Sequence, residues 1–333
     1  MARPGWAFRG PDLVAASASR ASRRNADVPC AHGWRRTGAV RVGARPTLAR
    51  LSCPAVGHEP NAPRRRYPHP RSILCYSRLV HQLHEDGTVS GSMPVLPDQL
   101  DGGGRMRLGA LAPLVDLCAG VLGARAAHPD LTATLDFKLH LIDPPRSGRA
   151  HGVAFPLRVG NTTVLSENRL RDDAGNDIGI AHVTFSRLPR RPDAPEHPPP
   201  RAKVVDHSHP DEEPRLPLDD YYGIRIDPHD CAFELDHHER IYNSFGSVQG
   251  GAMAALLDRV AVLCAERAVG RAARTMDLHF SYLYPATVGP FRVAAEPLRF
   301  EPDAVVCTVA LADSGRDGRT CAVGTARAVA TRD

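Results

Sequence analysis

The sequence lacks any uninterrupted apolar run of about 18 residues, although apolar residues make up 42% of its 333 positions. A membrane-spanning helix needs about 20 such residues, so we expect no transmembrane segment. The N-terminus carries arginines without the apolar stretch of a secretory signal, which argues against secretion. With 24% charged residues, the composition is typical of a globular protein long enough for two domains.

Paired cysteine motifs are also missing. The eight cysteines form no CxxC pair and no spacing typical of a metal site or a disulfide framework. Cysteines in apolar runs act as small buried hydrophobes in a reducing compartment. We therefore expect a cytoplasmic protein without metal or organic cofactor. His229, Cys231, His237 and His238 lack zinc-site spacing, and the three histidines are interpreted as surface residues.

Lysine is nearly absent, since Lys138 and Lys203 are the only two among 42 basic residues. The arginine bias indicates a GC-rich genome rather than a particular function. Charge is unevenly spread: residues 1–72 hold 14 arginines and 3 acids, and the remainder holds 28 basic and 34 acidic residues. The formal charge of +5 therefore belongs to an N-terminal arm, and the acidic remainder argues against a nucleic-acid partner.

The arm, residues 1–72, has no sustained periodicity and is rich in Arg, Pro, Ala and Ser. This composition favours a disordered segment. Three alternatives remain open. The first is a nucleic-acid-binding tail, although the arm lacks interleaved aromatic residues. The second is a start of translation near residue 75, and the third is an organelle transit peptide.

A second proline-rich segment divides the rest of the chain. Residues 189–218 contain nine prolines, which predicts a semi-stiff linker without helix. Its two histidines, His207 and His209, are interpreted as solvated. The linker separates two predicted domains of similar size, residues 73–188 and 219–333.

The two domains repeat one pattern. A long apolar helix starts near residue 109 and again at residue 250, and each is followed by four strand-like segments that end in a hairpin. Gly109 precedes Asp116 by seven residues, as Gly251 precedes Asp258. In the strands that follow, Asp136 and Asp277 each precede a proline by eight residues. Matched spacings of this kind indicate an internal duplication.

Each predicted helix carries an aspartate among apolar residues. Asp116 is the only charge in its helix up to residue 124, and Asp258 has only Arg259 beside it in the helix interior. A buried carboxylate is costly unless it is paired or functional. For a single aspartate of this kind, a structural role explains the sequence as well as a functional role does. The occurrence of an aspartate at the same position in both repeats favours a functional role.

The start of the second helix, Gly250–Gly251, is a candidate oxyanion site. Free backbone N–H groups and the helix dipole attract a developing negative charge there, and glycine allows close approach. Gly251 and Asp258 are about 10 Å apart along one helix, so they cannot act on one carbonyl group. The carboxylate must come from a second helix that lies antiparallel to the first.

The segment from Asn243 to Asp258, NSFGSVQGGAMAALLD, resembles the helix motif of hotdog-fold acyl-CoA thioesterases of the phenylacetate (PaaI) type. Residues 273–290 resemble the central strand of that family and its Pro-Gly exit. The resemblance is good over residues 240–331 and weaker over 100–188. It implies an α+β double hotdog, in which each half is a long helix wrapped by a curved antiparallel sheet, with sites between the halves.

The resemblance also implies residue roles. Gly251, beside Gly250, would donate its N–H to the thioester carbonyl, and Asn243 would position that carbonyl or the water. Gln249 stands where many members have His. The acid would be Asp116 from the other repeat, acting as general base or as nucleophile. Thr134 matches a Ser or Thr that orients the water.

A reciprocal site would pair Asp258 and Thr275 with Gly109. There Arg107 takes the place of Gln249, and we expect it to neutralise Asp258 in a salt bridge and leave this site inert. Asp136 and Asp277 are interpreted as structural hydrogen-bonding residues.

The predicted function is hydrolysis of an acyl-CoA thioester to an acid and free CoA, by a homodimer of double-hotdog chains. Two alternatives remain. One is an acyl-CoA-binding protein without catalysis. The other is a hotdog enoyl-CoA hydratase, which needs a paired Asp and His that this sequence does not display.

Overall fold

We describe residues 68–190, 200–208 and 215–331 of a computed structural model. The arm predicted for residues 1–72 lies almost entirely outside the described residues. Both predicted halves belong to one compact unit, Pro63–Asp333. Its framework is a single antiparallel sheet of 13 strands that curves around two long helices.

The first half starts with the short helix α1, Ile73–Tyr76, and is built on the long helix α2, Leu108–Ala127. Its strands are β1 Val80–Leu83, β2 Val89–Pro94, β3 Leu131–Leu141, β4 Arg149–Val159, β5 Thr163–Arg171 and β6 Asp177–Leu188. A 3-10 turn at Pro97–Gln99 precedes α2. The predicted helix and all the predicted strands of this half are confirmed.

The second half repeats this order. It contains the short helix α3, Leu218–Tyr222, and the long helix α4, Gly250–Val269. Its strands are β8 Arg225–Ile226, β9 Ala232–Leu235, β10 Ala273–Tyr282, β11 Phe291–Glu301, β12 Ala304–Asp313 and β13 Arg319–Ala330. The strand order β1-β2-β4-β5-β6-β3 of the first half continues as β10-β13-β12-β11-β9-β8. The strand order of the second half is therefore the reverse of that of the first half, and the two halves meet at the β3–β10 seam.

The proline-rich segment 189–218 differs from the prediction of an unstructured linker. Lys203–Asp206 form strand β7, which pairs antiparallel with β1 at the sheet edge. Its neighbour His207 is partly buried and stacks on His81, with ring centroids 5.2 Å apart. Residues 201–209 contain no proline, so their backbone N–H groups are available for hydrogen bonds to the edge of the sheet. The boundaries of the two predicted domains stay a prediction.

The seam joins the halves through β3 and β10, whose residues 136–140 pair with 277–281. On its outer face Asp277 accepts a hydrogen bond from His140 at 2.7 Å, and Asp136 accepts one from Ser281. The hydrogen bonding predicted for both aspartates is therefore present at the seam. Each seam strand also carries a β-bulge, after Thr134 in β3 and at the matching position in β10.

The core lies between the concave face of the sheet and the two long helices. Helix α2 has the length and apolar composition of a membrane-spanning helix, but most of it is buried inside this protein. A helix that is apolar nearly all round is expected where a sheet wraps it. The α+β class predicted from the sequence is confirmed.

Candidate active site

The two long helices pack side by side in opposite directions. Gly109, near the start of α2, lies against Ala255 in α4, and Gly251, near the start of α4, lies against Pro113 in α2. Each helix N-terminus therefore meets the middle of the other helix. This is the antiparallel arrangement that the spacing of glycine and aspartate required.

Asp116 reaches the N-terminus of α4, as predicted. Its Oδ2 atom accepts a hydrogen bond of 2.8 Å from Nε2 of Gln249. The backbone N–H of Gly251 also donates to this carboxylate. The structure therefore brings together three elements of the predicted composite site, which come from both halves of the chain.

Gln249 holds Asp116 in a fixed direction. It is the N-cap of α4, and its Oε1 accepts a hydrogen bond of 3.0 Å from the N–H of Ala252. Because the amide oxygen is committed to the helix, the amide N–H₂ faces Asp116. Gln249 is only 4% exposed, so this orientation is sheltered from water. The side chain donates a hydrogen bond and cannot carry a proton between groups.

Glycine is required at both positions of the α4 start. A Cβ atom on Gly251 would lie 2.5 Å from Cα of Pro113, and one on Gly250 would overlap the Asp116 carboxylate. Backbone and carboxylate can approach the helix start only because no side chain intervenes. The first half has Leu108 at the position that matches Gly250, so the two helix starts are not equivalent.

Burial raises the pKa of Asp116 from 3.8 to about 6, and the hydrogen bond from Gly251 opposes this rise. The positive end of the α4 dipole also favours the ionised form. The carboxylate is therefore mostly ionised at pH 7 and more basic than an ordinary aspartate. A carboxylate of this kind suits proton abstraction or nucleophilic attack.

Tyr282 is a site residue that the sequence analysis missed. It ends strand β10, and its hydroxyl donates a hydrogen bond of 3.0 Å to the carbonyl oxygen of Gly250. Burial and the negative charge of Asp116 raise its pKa well above 10. The matching position of the first half is Leu141, so a comparison of the two repeats would have revealed this difference.

Asn243 and Thr134, the other two predicted residues, make no hydrogen bond with Asp116. The amide of Asn243 bonds within its own loop, to Ser247 Oγ at 2.9 Å and to the N–H of Phe245 at 2.9 Å. Asn243 therefore shapes the loop that leads into α4. The hydroxyl of Thr134 makes no hydrogen bond with any of the described residues. Their direct roles toward a carbonyl or a water stay predictions.

The reciprocal site at Asp258 is built on the same plan but is closed. Asp258 is 3% exposed and accepts a hydrogen bond of 3.0 Å from the N–H of Gly109. Asp116, in contrast, is partly exposed. Burial raises the pKa of Asp258, and the Thr275 hydroxyl, the Gly109 N–H and the charge of Arg107 oppose that rise.

The salt bridge predicted between Arg107 and Asp258 is absent from the ion pairs of the described residues. Instead, Nε of Arg107 donates to the carbonyl of Leu100 at 3.0 Å. Leu100 lies in the loop before α2, so Arg107 is used to hold that loop. Its charge acts on Asp258 only over a longer distance.

An ion pair fastens the loop before α2 to the seam at the reciprocal site. Asp101, in the loop before α2, lies 3.0 Å from Nε of Arg274 in β10, and both side chains are largely buried. The neighbouring Gly102 and Gly103 pack closely on residues 272–274. At the open site the matching residues are Asn243 and Ala133, which cannot form an ion pair. The loop before α4 is accordingly exposed at Ser244 and Phe245.

We expect Arg274→Met to lower the free energy of unfolding by about 3 kcal/mol, because it leaves the buried Asp101 carboxylate without its counter-charge. Urea denaturation followed by circular dichroism measures the change. Arg292→Met is the matched control, since the Arg292 side chain is 40% exposed, and its effect should stay within about 0.5 kcal/mol. Equal losses in both variants would contradict the role of the ion pair.

The histidines lie away from the composite site. His140, His151, His182 and His279 each lie beside an acidic residue, but none of them bonds to Asp116 or Asp258. His237 and His238 donate to the carbonyl oxygens of Gly246 and Tyr222. Among residues 68–190, 200–208 and 215–331, no group of three His, Cys, Asp or Glu side chains is arranged to hold a metal.

Comparison with known proteins identifies the fold. Residues 245–319 match the sequence model of the Thioesterase superfamily, while no curated protein matches the chain. An acyl-ACP thioesterase from Bacteroides thetaiotaomicron is similar in structure at 13% identity, with 73% of this chain and 98% of that chain covered and a TM-score of 0.50.

The tesB protein of Mycobacterium avium subsp. paratuberculosis is similar at 11% identity, with 75% and 96% of the two chains covered and a TM-score of 0.53. A Lactobacillus plantarum protein provisionally named oleoyl thioesterase is similar at 12% identity, with 74% of this chain and 97% of that chain covered and a TM-score of 0.51. The chain has the hotdog fold, and the resemblance inferred from Asn243–Asp258 is confirmed at this level. The PaaI subgroup stays a prediction.

Proposed function

We propose that the chain is an acyl-CoA thioesterase with one working composite site at Asp116 and the start of α4. The observation that carries this proposal is the hydrogen bond from the N–H of Gly251 in one half to the basic carboxylate of Asp116, a partly exposed residue of the other half. Thioester hydrolysis needs these two groups together: a donor for the carbonyl oxygen and a base or nucleophile beside it. The thioesterase superfamily match over residues 245–319 supports the proposal.

In the proposed mechanism the N–H of Gly251, which donates to Asp116 before the substrate binds, donates to the carbonyl oxygen of the substrate. The α4 dipole stabilises the negative charge that develops on this oxygen. Asp116 then acts in one of two ways. As a general base it takes a proton from water, whose oxygen attacks the carbonyl carbon. As a nucleophile it attacks that carbon and forms a mixed anhydride, which water then hydrolyses. In both cases the C–S bond breaks and the CoA thiolate leaves and takes up a proton.

Two features favour a single working site. Asp116 is partly exposed and has Gln249, Gly250 and Tyr282 around it. Asp258 is 3% exposed beside the start of α2, and the loop before α2 is fastened to β10 by the Asp101–Arg274 ion pair. A substrate can reach the first carboxylate and not the second. Homodimer formation, the cytoplasmic location and the choice of CoA over acyl carrier protein stay predictions.

The test is hydrolysis of a panel of acyl- and aryl-CoA thioesters by the full chain, followed by loss of thioester absorbance across pH. We expect kcat/KM to rise with pH through about 6 and to level off above it, because the ionised form of Asp116 is the reactive one. An acyl carrier protein thioester serves as the comparison substrate. Asp258→Asn should keep both the rate and the pH profile.

Two outcomes would overturn the proposed chemistry, and a third would overturn the proposed substrate. Thermal stabilisation by acyl-CoA without hydrolysis would indicate a binding protein. Hydration of an enoyl-CoA without release of CoA would indicate a hydratase. Hydrolysis of the carrier-protein thioester alone would keep the chemistry and change the substrate.

A further inference from the structure

Tyr282 joins the seam of the sheet to the first turn of α4. Its hydroxyl donates to the carbonyl oxygen of Gly250 at 3.0 Å, and its ring packs against Phe280 with centroids 4.9 Å apart. Phe280 is in turn buried against Phe137 from the other half, at 5.4 Å. The tyrosine therefore connects a rigid aromatic cluster to the helix start that carries the candidate donor.

The start of α4 needs such an anchor. Gly250 and Gly251 carry no side chain that could hold them, and glycine has the largest conformational freedom of any residue. The N–H of Gly251 must nevertheless point in one direction to serve a carbonyl oxygen, since misplacement of a donor weakens its effect on the transition state. Gln249 and Tyr282 both bond to the first turn of the helix and hold it in place.

The anchor is present at one site only. Tyr282 lies five residues after Asp277, and Leu141 lies five residues after Asp136 at the matching place in the first half. Leucine has no hydroxyl, so it cannot form the equivalent bond to the start of α2. The tyrosine is therefore found at the open site, and leucine at the closed one.

We propose that Tyr282 is a positioning residue for the thioesterase site: it holds the Gly250–Gly251 turn so that the N–H of Gly251 points at the reacting carbonyl and at Asp116. This inference rests on the proposed function. Tyr282 acts through the backbone of α4 and exchanges no proton with the substrate. Its pKa is raised well above 10, so the phenol is neutral at pH 6–9 and keeps its hydrogen bond to Gly250 there.

Tyr282→Phe tests the proposal, because it removes the hydroxyl and keeps the ring. We expect kcat to fall by about tenfold with KM unchanged within about twofold, since the donor acts mainly in the transition state. The acid limb of the pH profile should move upward from about 6, because the N–H of Gly251 lowers the pKa of Asp116 less when the turn is loose. A purely structural role would not move this limb.

Tyr284→Phe is the matched control. Tyr284 lies just beyond the same strand and packs under Arg319, with the guanidinium 5.0 Å from the ring centroid. Removal of its hydroxyl should leave kcat, KM and the pH profile unchanged. Tyr284→Phe thus removes a hydroxyl group of the same kind two residues away from Tyr282.

A titration of Asp116 by carboxyl-carbon NMR completes the test without reference to activity. A higher pKa of Asp116 in Tyr282→Phe than in the wild type supports the anchor. The same pKa in both proteins, or a loss of kcat together with an unmoved acid limb, would overturn it. A wild type that hydrolyses no thioester would overturn the proposed function, and the NMR titration would still decide the role of Tyr282.

Discussion

Asp116→Asn should lower kcat on the best thioester by about a thousandfold, because the amide can neither accept a proton from water nor attack the carbonyl carbon. Asparagine has nearly the same shape, and its one acceptor oxygen can keep the hydrogen bond from Gln249 or from Gly251. Steady-state hydrolysis of the thioester measures the loss. Residual activity above about a tenth of the wild type would exclude Asp116 from the reaction.

The same substitution should make the protein more stable above pH 6. The folded-state pKa of Asp116 is raised from 3.8 to about 6, so the folded protein holds this proton more tightly than the unfolded chain does. Ionisation therefore costs the wild type stability as pH rises from about 4 to 6, by at most about 3 kcal/mol. We expect Asp116→Asn to gain up to that amount at pH 7 and nothing near pH 3.5.

Asp258→Asn is the control for both measurements. Asp258 occupies the matching position in α4 and its pKa is also raised by burial, but it is only 3% exposed. Its substitution should leave kcat unchanged. Loss of activity in Asp258→Asn with retention in Asp116→Asn would show that the working site lies at the other end of the helix pair.

Gly251→Ala should destabilise the protein by about 2 kcal/mol and lower kcat by about a hundredfold. The new Cβ would lie 2.5 Å from Cα and 2.9 Å from N of Pro113, and two backbones in contact cannot yield without separation of the helices. The separation moves the Gly251 N–H away from Asp116 and removes one donor from the developing oxyanion. Urea denaturation and steady-state kinetics measure the two effects.

Two glycine variants separate these effects. Gly120→Ala places a Cβ in open space on α2 and should be neutral or stabilising by about 0.5 kcal/mol. Gly109→Ala places a Cβ 2.9 Å from Cα of Ala255, so it should cost stability at the closed site with a much smaller loss of kcat. Equal kinetic losses in Gly109→Ala and Gly251→Ala would argue against a single working site.

The fold could be predicted from the sequence because its signals are local and duplicated. The apolar helices, the alternating strands and the hairpin turns each repeat at matched spacings, and every one of the long elements is confirmed. Strand β7, Lys203–Asp206, was missed, because four residues between prolines carry little periodicity of their own. They become a strand only because the edge of β1 offers them hydrogen bonds.

The candidate site could be predicted in part. The seven-residue spacing of Gly251 and Asp258 excludes action on one carbonyl, so the carboxylate had to come from a second helix. The family resemblance then assigned it to Asp116. Gln249 was assigned from the family pattern, and its bond to Asp116 is a product of the packed helices. Tyr282 carries no motif in the sequence, since its role depends on a helix start 32 residues earlier in the chain.

The sequence by itself determined the duplication, the two helix-and-sheet halves and the pairing of a carboxylate from one half with a helix start from the other, because these follow from spacing along the chain. Only the tertiary structure decided which of the two aspartates is partly exposed and which is buried. Asp101 and Arg274 are 173 positions apart, and their ion pair forms across the seam. Burial, charge pairing and solvent exposure depend on residues that are distant in the sequence and close in space. Local sequence patterns therefore do not predict them.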